Sequence, residues 1–233
     1  IGSQARSILN PGIWRRFYFR LIHFAMHEEA LTKESAVLLP LFGRFDNFYL
    51  AGGTALALQI GHRLSVDFDF FSYEPLPENL LKKVKRIFEG RQLSVTYSAP
   101  EQLDLIIDGV KVTFFNYPYQ TIYPFVSYGK IKLASVLEIA LMKSFSIGKR
   151  LSYKDYVDWY FMITDNRVSL SEVIEGAKKK FGADFNDRLF LGQLVSMEDI
   201  PPQKIDFLKE QEQVSKETVE QALKIVVKEF LEK

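Results

Sequence analysis

One stretch, AGGTALALQIGHRLSVDFDFFS from Ala51 to Ser72, narrows the possible folds more than any other part of the chain. A buried-strand pattern, NFYLA (47–51), breaks at Gly52-Gly53-Thr54, resumes as the helical run ALALQI, stops at Gly61 and ends in SVDFDFF. Glycines between an apolar strand and helix formers mark a tight strand-to-helix turn, and the alternation in SVDFDFF marks a second strand. Such a unit needs a sheet with helices packed on it. On the second strand Asp67 and Asp69 are i and i+2, sharing one face about 6.6 Å apart, with Val66, Phe68 and Phe70 expected on the core face. Two carboxylates so placed repel each other, and desolvating them is costly unless a cation or donors compensate. A hard divalent ion, Mg²⁺ or Mn²⁺, held by Asp67 and Asp69 resolves the conflict. The alternative is an exposed edge strand, Asp out and Phe in, with no ion.

The rest of the chain supplies the frame. A helical stripe of Trp14, Phe17, Leu21 and Phe24 runs from Pro11 to about Leu41. Pro75 and Pro77 open a helix to about Glu89, with Leu80, Leu81, Val84, Ile87 and Phe88 on its apolar face. LSVTYS, QLDLII and VKVTFF read as strands, the last two joined by the hairpin signal Asp108-Gly109. From Ser135 onward the pattern is helical throughout, ending in a helix with Val219, Ala222, Leu223, Val226 and Phe230 on one side. The expected fold class is α/β (α+β): a mixed sheet in residues 1–128, then a helical bundle in residues 129–233.

Glycines at such a turn let a phosphate approach the backbone, and the helix that follows offers free N–H groups and a positive dipole end. Gly52 and Gly53 are therefore candidate nucleotide-binding residues. Thr54 adds a hydroxyl contact or caps the helix. Arg63 is a candidate for holding a phosphate or base, whereas His62 reads as structural.

The order hydrophobic-Gly-Gly-Thr, then Gly-His-Arg-x-Ser-x-Asp-x-Asp-Phe, resembles the polymerase-β-like nucleotidyltransferases, and within them the AbiEii/AbiGii toxin family. A second block agrees: Lys143, Arg150, Lys154-Asp155 and Asp158 in MKSFSIGKRLSYKDYVDWYFM. The resemblance implies a polymerase-β-like core with an added helical domain and NTP as substrate. It also implies that Ser65, Arg150 and Asp155 serve the nucleotide site. As a toxin it would have a cognate antitoxin, with RNA, tRNA first, as acceptor.

The second block also stands on its own spacing. Val136, Ala140, Lys143 and Ile147 fall on one helical stripe, so Lys143 interrupts an apolar face, where an ammonium needs an anion. Asp155 and Asp158 share a face of the next helix. Lys143 either pairs with Asp158 to join two helices or contacts phosphate with Asp158 as orienting group and base; the two readings coexist. One departure from the polymerase-β pattern stands out. The strand GVKVTFFNYPY offers Thr113, Phe115 and Asn116 where a third carboxylate is usual. Either one metal suffices, or Asp104 or Asp158 substitutes, or the enzyme is impaired.

Composition excludes several classes. With 233 residues, 47% hydrophobic and 25% charged, the chain carries a full core. No cysteine is present, which removes disulfides, thiolate zinc sites and cysteine nucleophiles and fits a reducing cytoplasm. Only three histidines, His23, His27 and His62, are present, so a histidine-rich metal site is not expected and any metal falls to carboxylates. A net charge of +1 confines nucleic-acid contacts to local patches, and Lys82, Lys83, Lys85 and Arg86 form one candidate. No apolar run approaches the ~20 residues of a membrane span. The leading expectation is a Mg²⁺-dependent nucleotidyltransferase acting on RNA. The alternatives are transfer to a protein hydroxyl, a nucleotide-binding module without transfer, and phosphoester hydrolysis.

Overall fold

The computed structural model describes residues 26–149, 151–208 and 213–232. About half of the expected helix from Pro11 to Leu41, including its aromatic stripe, lies outside them, as does Arg150. Its described part is interrupted: Thr32 Oγ1 accepts from Ser35 N at 3.2 Å and caps a new helix, α1 (Lys33–Leu38).

Seven strands form one mixed sheet in the order β3-β4-β5-β2-β1-β7-β6. They are β1 (Tyr49–Ala51), β2 (Phe68–Ser72), β3 (Leu93–Ala99), β4 (Gln102–Ile107), β5 (Val110–Asn116), β6 (Val126–Tyr128) and β7 (Ile131–Leu133). The β2–β5 and β1–β7 pairs are parallel; the others are antiparallel. Asp108 (φ 49°) and Gly109 (φ 83°) both lie in the left-handed region, which a two-residue turn between right-twisted strands requires.

The unit read from the sequence is present, with β1 leading into α2 (Gly52–Ile60), closed by Gly61 at φ 64°, and then into β2. Phe68 and Phe70 enter an aromatic core with Phe42, Phe88 and Phe114; the Phe42 and Phe70 ring centres are 4.6 Å apart. Val66, expected beside them, is 41% exposed, because β2 begins only at Phe68 and alternation does not extend back to it. The helix α3 (Leu80–Ile87) starts three residues after Pro77 and buries Leu80, Val84 and Ile87. It covers the Phe70 face of the sheet, opposite Asp69. Its basic residues therefore lie on the far side from the two aspartates, not beside them.

Helices α4 (Val136–Ser146), α5 (Tyr153–Thr164), α6 (Leu170–Phe181), α7 (Asp187–Val195) and α8 (Lys216–Leu231) follow. Ser135 caps α4, and a Ser169–Glu172 capping box opens α6. Two departures from the expected layout stand out. The β6–β7 hairpin straddles the expected 128/129 division, and β7 pairs with β1, so the sheet runs to Leu133 and one core spans both halves. Residues 196–208, expected to be helical, form an extended strap around Pro201 and Pro202, which cannot donate to a helix. Leu64 N donates to Asp206 O at 2.7 Å, and Arg63 pairs with Phe207, holding the strap against the Arg63–Ser65 segment.

Candidate active site

Both sequence blocks meet in one cleft between the sheet and helices α4 and α5. Gly53, Thr54, Arg63, Ser65, Asp67 and Asp69 line one wall; Lys143, Ser152, Lys154 and Asp155 line the other, and Gln203 of the strap closes an edge. Asp67 and Asp69 are half-buried there. Ser152 and Gln203 were not legible in advance. Ser152 merely precedes a helix in sequence, and Gln203 reaches the cleft only through the long-range pairing of the strap.

Gly52 and Gly53 have different tasks. Gly52 sits at φ 69°, and a Cβ there would stand 2.7 Å from Asp69 Oδ2. Its missing side chain thus lets the Asp69 carboxylate lie against the first turn of α2, where the positive dipole end favours an anion. A Cβ on Gly53 would stand 2.6 Å from Arg63 Nη2. Thr54 neither caps α2 nor reaches outward: its hydroxyl lies 2.8 Å from Ser65 Oγ and donates to the Asp67 carbonyl, pinning the start of β2 to the helix.

Asp158 is the hub behind the cleft. It is fully buried, and its oxygens accept from His62 Nε2 and Arg63 Nε (2.7 Å each), Arg63 Nη2 (3.1 Å) and Lys143 Nζ (2.7 Å). Burial alone would raise its pKa, but Arg63, Lys143 and His62 outweigh that and hold it well below the usual carboxylate range. A carboxylate that is inaccessible, saturated and acidic is unsuited to taking a proton from an acceptor. These contacts make Asp158 the buried counter-ion shared by Arg63 and Lys143.

Its partners follow the same logic. Burial pushes His62 down despite Asp158, so the imidazole is neutral, its Nε2–H donating. Arg63 gives three of its nitrogens to Asp158 and to the Leu64 carbonyl, so it organises the wall more than it reaches into the cleft. Lys143 bonds both Asp155 (2.7 Å) and Asp158; burial would lower its pKa, but the two carboxylates raise it above the ordinary value. The ion pair read from the helical stripe is therefore present, and the same lysine faces the cleft.

The third-carboxylate question has a geometric answer. Thr113 stands beside Asp69 in the β2–β5 register, and Asp104 stands beside Thr113 on β4. Two strand spacings, about 9.6 Å, separate Asp104 from Asp69. Both Asp104 oxygens accept from Gln102 Nε2, at 2.9 and 3.0 Å. Asp104 is thus buried and already bonded to Gln102. Among the described residues no cluster of three or more His, Cys, Asp or Glu forms a metal centre, and no helix is long and apolar enough to cross a membrane.

Comparison with known proteins agrees with this geometry. The model of the family described as nucleotidyl transferase AbiEii toxin, type IV toxin–antitoxin system, matches residues 36–230. An uncharacterized protein of Aquifex aeolicus (strain VF5), aq_aa25, is 33% identical over 193 residues, covering 82% of this chain and 91% of its own. Among solved structures, a chain from H. pylori described as a candidate nucleotidyltransferase covers 86% of this chain and 98% of its own, with TM-score 0.51 and 15% identity. JHP933 from Helicobacter pylori covers 87% and 95%, with TM-score 0.50 and 14% identity. These two likenesses concern the fold. The family match spans most of the chain and both blocks of the cleft: the protein belongs to the AbiEii nucleotidyltransferase toxins of type IV toxin–antitoxin systems.

Proposed function

We propose that the chain is a Mg²⁺-dependent nucleotidyltransferase that moves a nucleoside monophosphate from an NTP to a hydroxyl of RNA, tRNA first among the candidates. The family implies NTP as substrate and an antitoxin as partner; the metal, the acceptor and the residue roles are our reading. One observation carries it: Asp67 and Asp69 share a single cleft with Lys143, Lys154 and Asp155, which come from a distant block.

The donor set suits Mg²⁺. Among the described residues in and directly behind the cleft, four carboxylates (Asp67, Asp69, Asp155, Asp158) stand against three fixed cations (Arg63, Lys143, Lys154). That anionic excess favours a hard cation on Asp67 and Asp69, completed by substrate phosphates. When bound, Mg²⁺ would neutralise triphosphate charge and ease ionisation of the acceptor hydroxyl. The chain does the rest by positioning. Lys143, kept protonated by Asp155 and Asp158, and Lys154 face the triphosphate. The first-turn N–H groups of α2 at Gly53 and Thr54, with the Ser65 hydroxyl, flank it. The acceptor oxygen, its proton passing to solvent water, bonds to the α-phosphorus as the bond to the bridging oxygen breaks, and pyrophosphate leaves with that electron pair.

Thr113 in place of an acid supports a second reading, a module that binds Mg²⁺ and NTP without transfer. Incubation with α-³²P-labelled NTPs, Mg²⁺, total RNA and lysate protein separates them. Nuclease-sensitive label on RNA is the expected result. Protease-sensitive label would reassign the acceptor, and nucleotide binding without any label would favour the module.

A further inference from the structure

The sheet does not end at the cleft. Asp69, Thr113, Asp104 and Tyr97 are joined in register across β2, β5, β4 and β3, forming one row on one face. The opposite face carries Phe70, Phe114 and Leu105 and is core. On the Asp69 face the outer strands lie open among the described residues: Tyr97 is 50% exposed, Ile106 is 39% exposed, and Lys111, two residues before Thr113 on β5, is exposed. Three strand spacings place Tyr97 roughly 14 Å from Asp69.

We propose that this open face of β5, β4 and β3 is the docking platform for the single-stranded end of the acceptor RNA, resting on the transferase reading above. A base stacks on Tyr97 and packs against Ile106. A backbone phosphate meets Lys111, and the reacting hydroxyl points back along the row to Asp67 and Asp69. On one sheet face, an exposed aromatic and a cation two strands across and two residues along, about 12 Å away, suit a base and a neighbouring phosphate of unpaired nucleotides. Asp104, between Tyr97 and Thr113, is buried with both oxygens taken by Gln102, which leaves the Lys111 side as the path for the backbone. Continuity with the carboxylate row sets this face apart from the basic face of α3, which lies across the sheet.

The test is steady-state transfer of labelled nucleotide to RNA, with the KM for RNA and the affinity for NTP measured separately. Tyr97→Ala raises the KM for RNA about 5- to 100-fold, the loss of one base–aromatic stack, while NTP affinity holds. Tyr97→Phe keeps the stack and the wild-type KM. So does Val95→Ser, on the same edge strand but the opposite face. Lys111→Ala lowers the salt dependence of RNA binding by about 0.7 in log–log slope, one phosphate contact. Wild-type labelling of RNA with an unchanged KM in Tyr97→Ala overturns the platform alone. Absence of RNA labelling by the wild type overturns the acceptor reading, and the platform with it.

Discussion

Lys143 Nζ lies 2.7 Å from Asp158 Oδ2, a buried bond between α4 and α5 that sets the wall of the cleft. Removing the carboxylate leaves Lys143 and Arg63 without their shared counter-ion. Asp158→Ala should destabilise the fold by about 3–5 kcal/mol in urea denaturation. Asp158→Asn should also lose stability, because a neutral amide cannot match two cations. If Asp158 were a base instead, Asp158→Asn would keep wild-type stability and lose turnover alone.

Asp69 should behave oppositely. Asp69→Asn relieves like-charge repulsion at a half-buried position, so thermal stability should stay level or rise. Transfer should fall by about a hundredfold or more as charge compensation at the phosphates is lost. Parallel melting curves and initial rates check both halves.

Gly52→Ala combines a disfavoured φ with a Cβ at 2.7 Å from the Asp69 carboxylate. A loss of about 1–2 kcal/mol is expected from the backbone alone, and displacement of Asp69 should reduce Mg²⁺-dependent nucleotide binding. Gly90→Ala, also at positive φ but with open space around it, should lose similar stability and keep binding.

The buried histidine gives a pH signature. His62 is held neutral in the fold, its pKa below the usual value, so the unfolded chain binds its proton first as pH falls below ~6.5. Stability should therefore decline from about pH 6.5 downward, by at most ~1.4 kcal/mol per pH unit for one proton. Asp158 adds a second decline lower down. Its folded pKa is depressed, so its contribution is complete above ~4 and is lost as pH falls further. Melting temperatures between pH 8 and 5 should fall for the wild type and flatten in His62→Gln.

Features encoded over short stretches were legible in the sequence. The Gly-Gly break, the Asp-x-Asp alternation and the Asp108-Gly109 turn each act within a few residues, and each appears where its chemistry requires. Lys143 was legible because an ammonium breaks an apolar stripe. What escaped depends on distance or shortness. Three-residue strands such as β6 and β7 cannot show alternation, so the sheet seemed to stop early. The cage around Asp158 joins residues from three segments, and nothing near Asp158 marks it as saturated. Gly52 looked like a phosphate cradle because its actual neighbour, Asp69, lies across a strand pairing.

The central claim is that the two blocks form one Mg²⁺–triphosphate site. Calorimetric titration of an NTP with and without Mg²⁺ into the wild type, Asp69→Asn and Lys143→Gln, each verified as folded by circular dichroism, tests it most directly. The account predicts Mg²⁺-dependent binding in the wild type and loss of affinity in both variants, one from each wall. Wild-type affinity retained in either variant would contradict it.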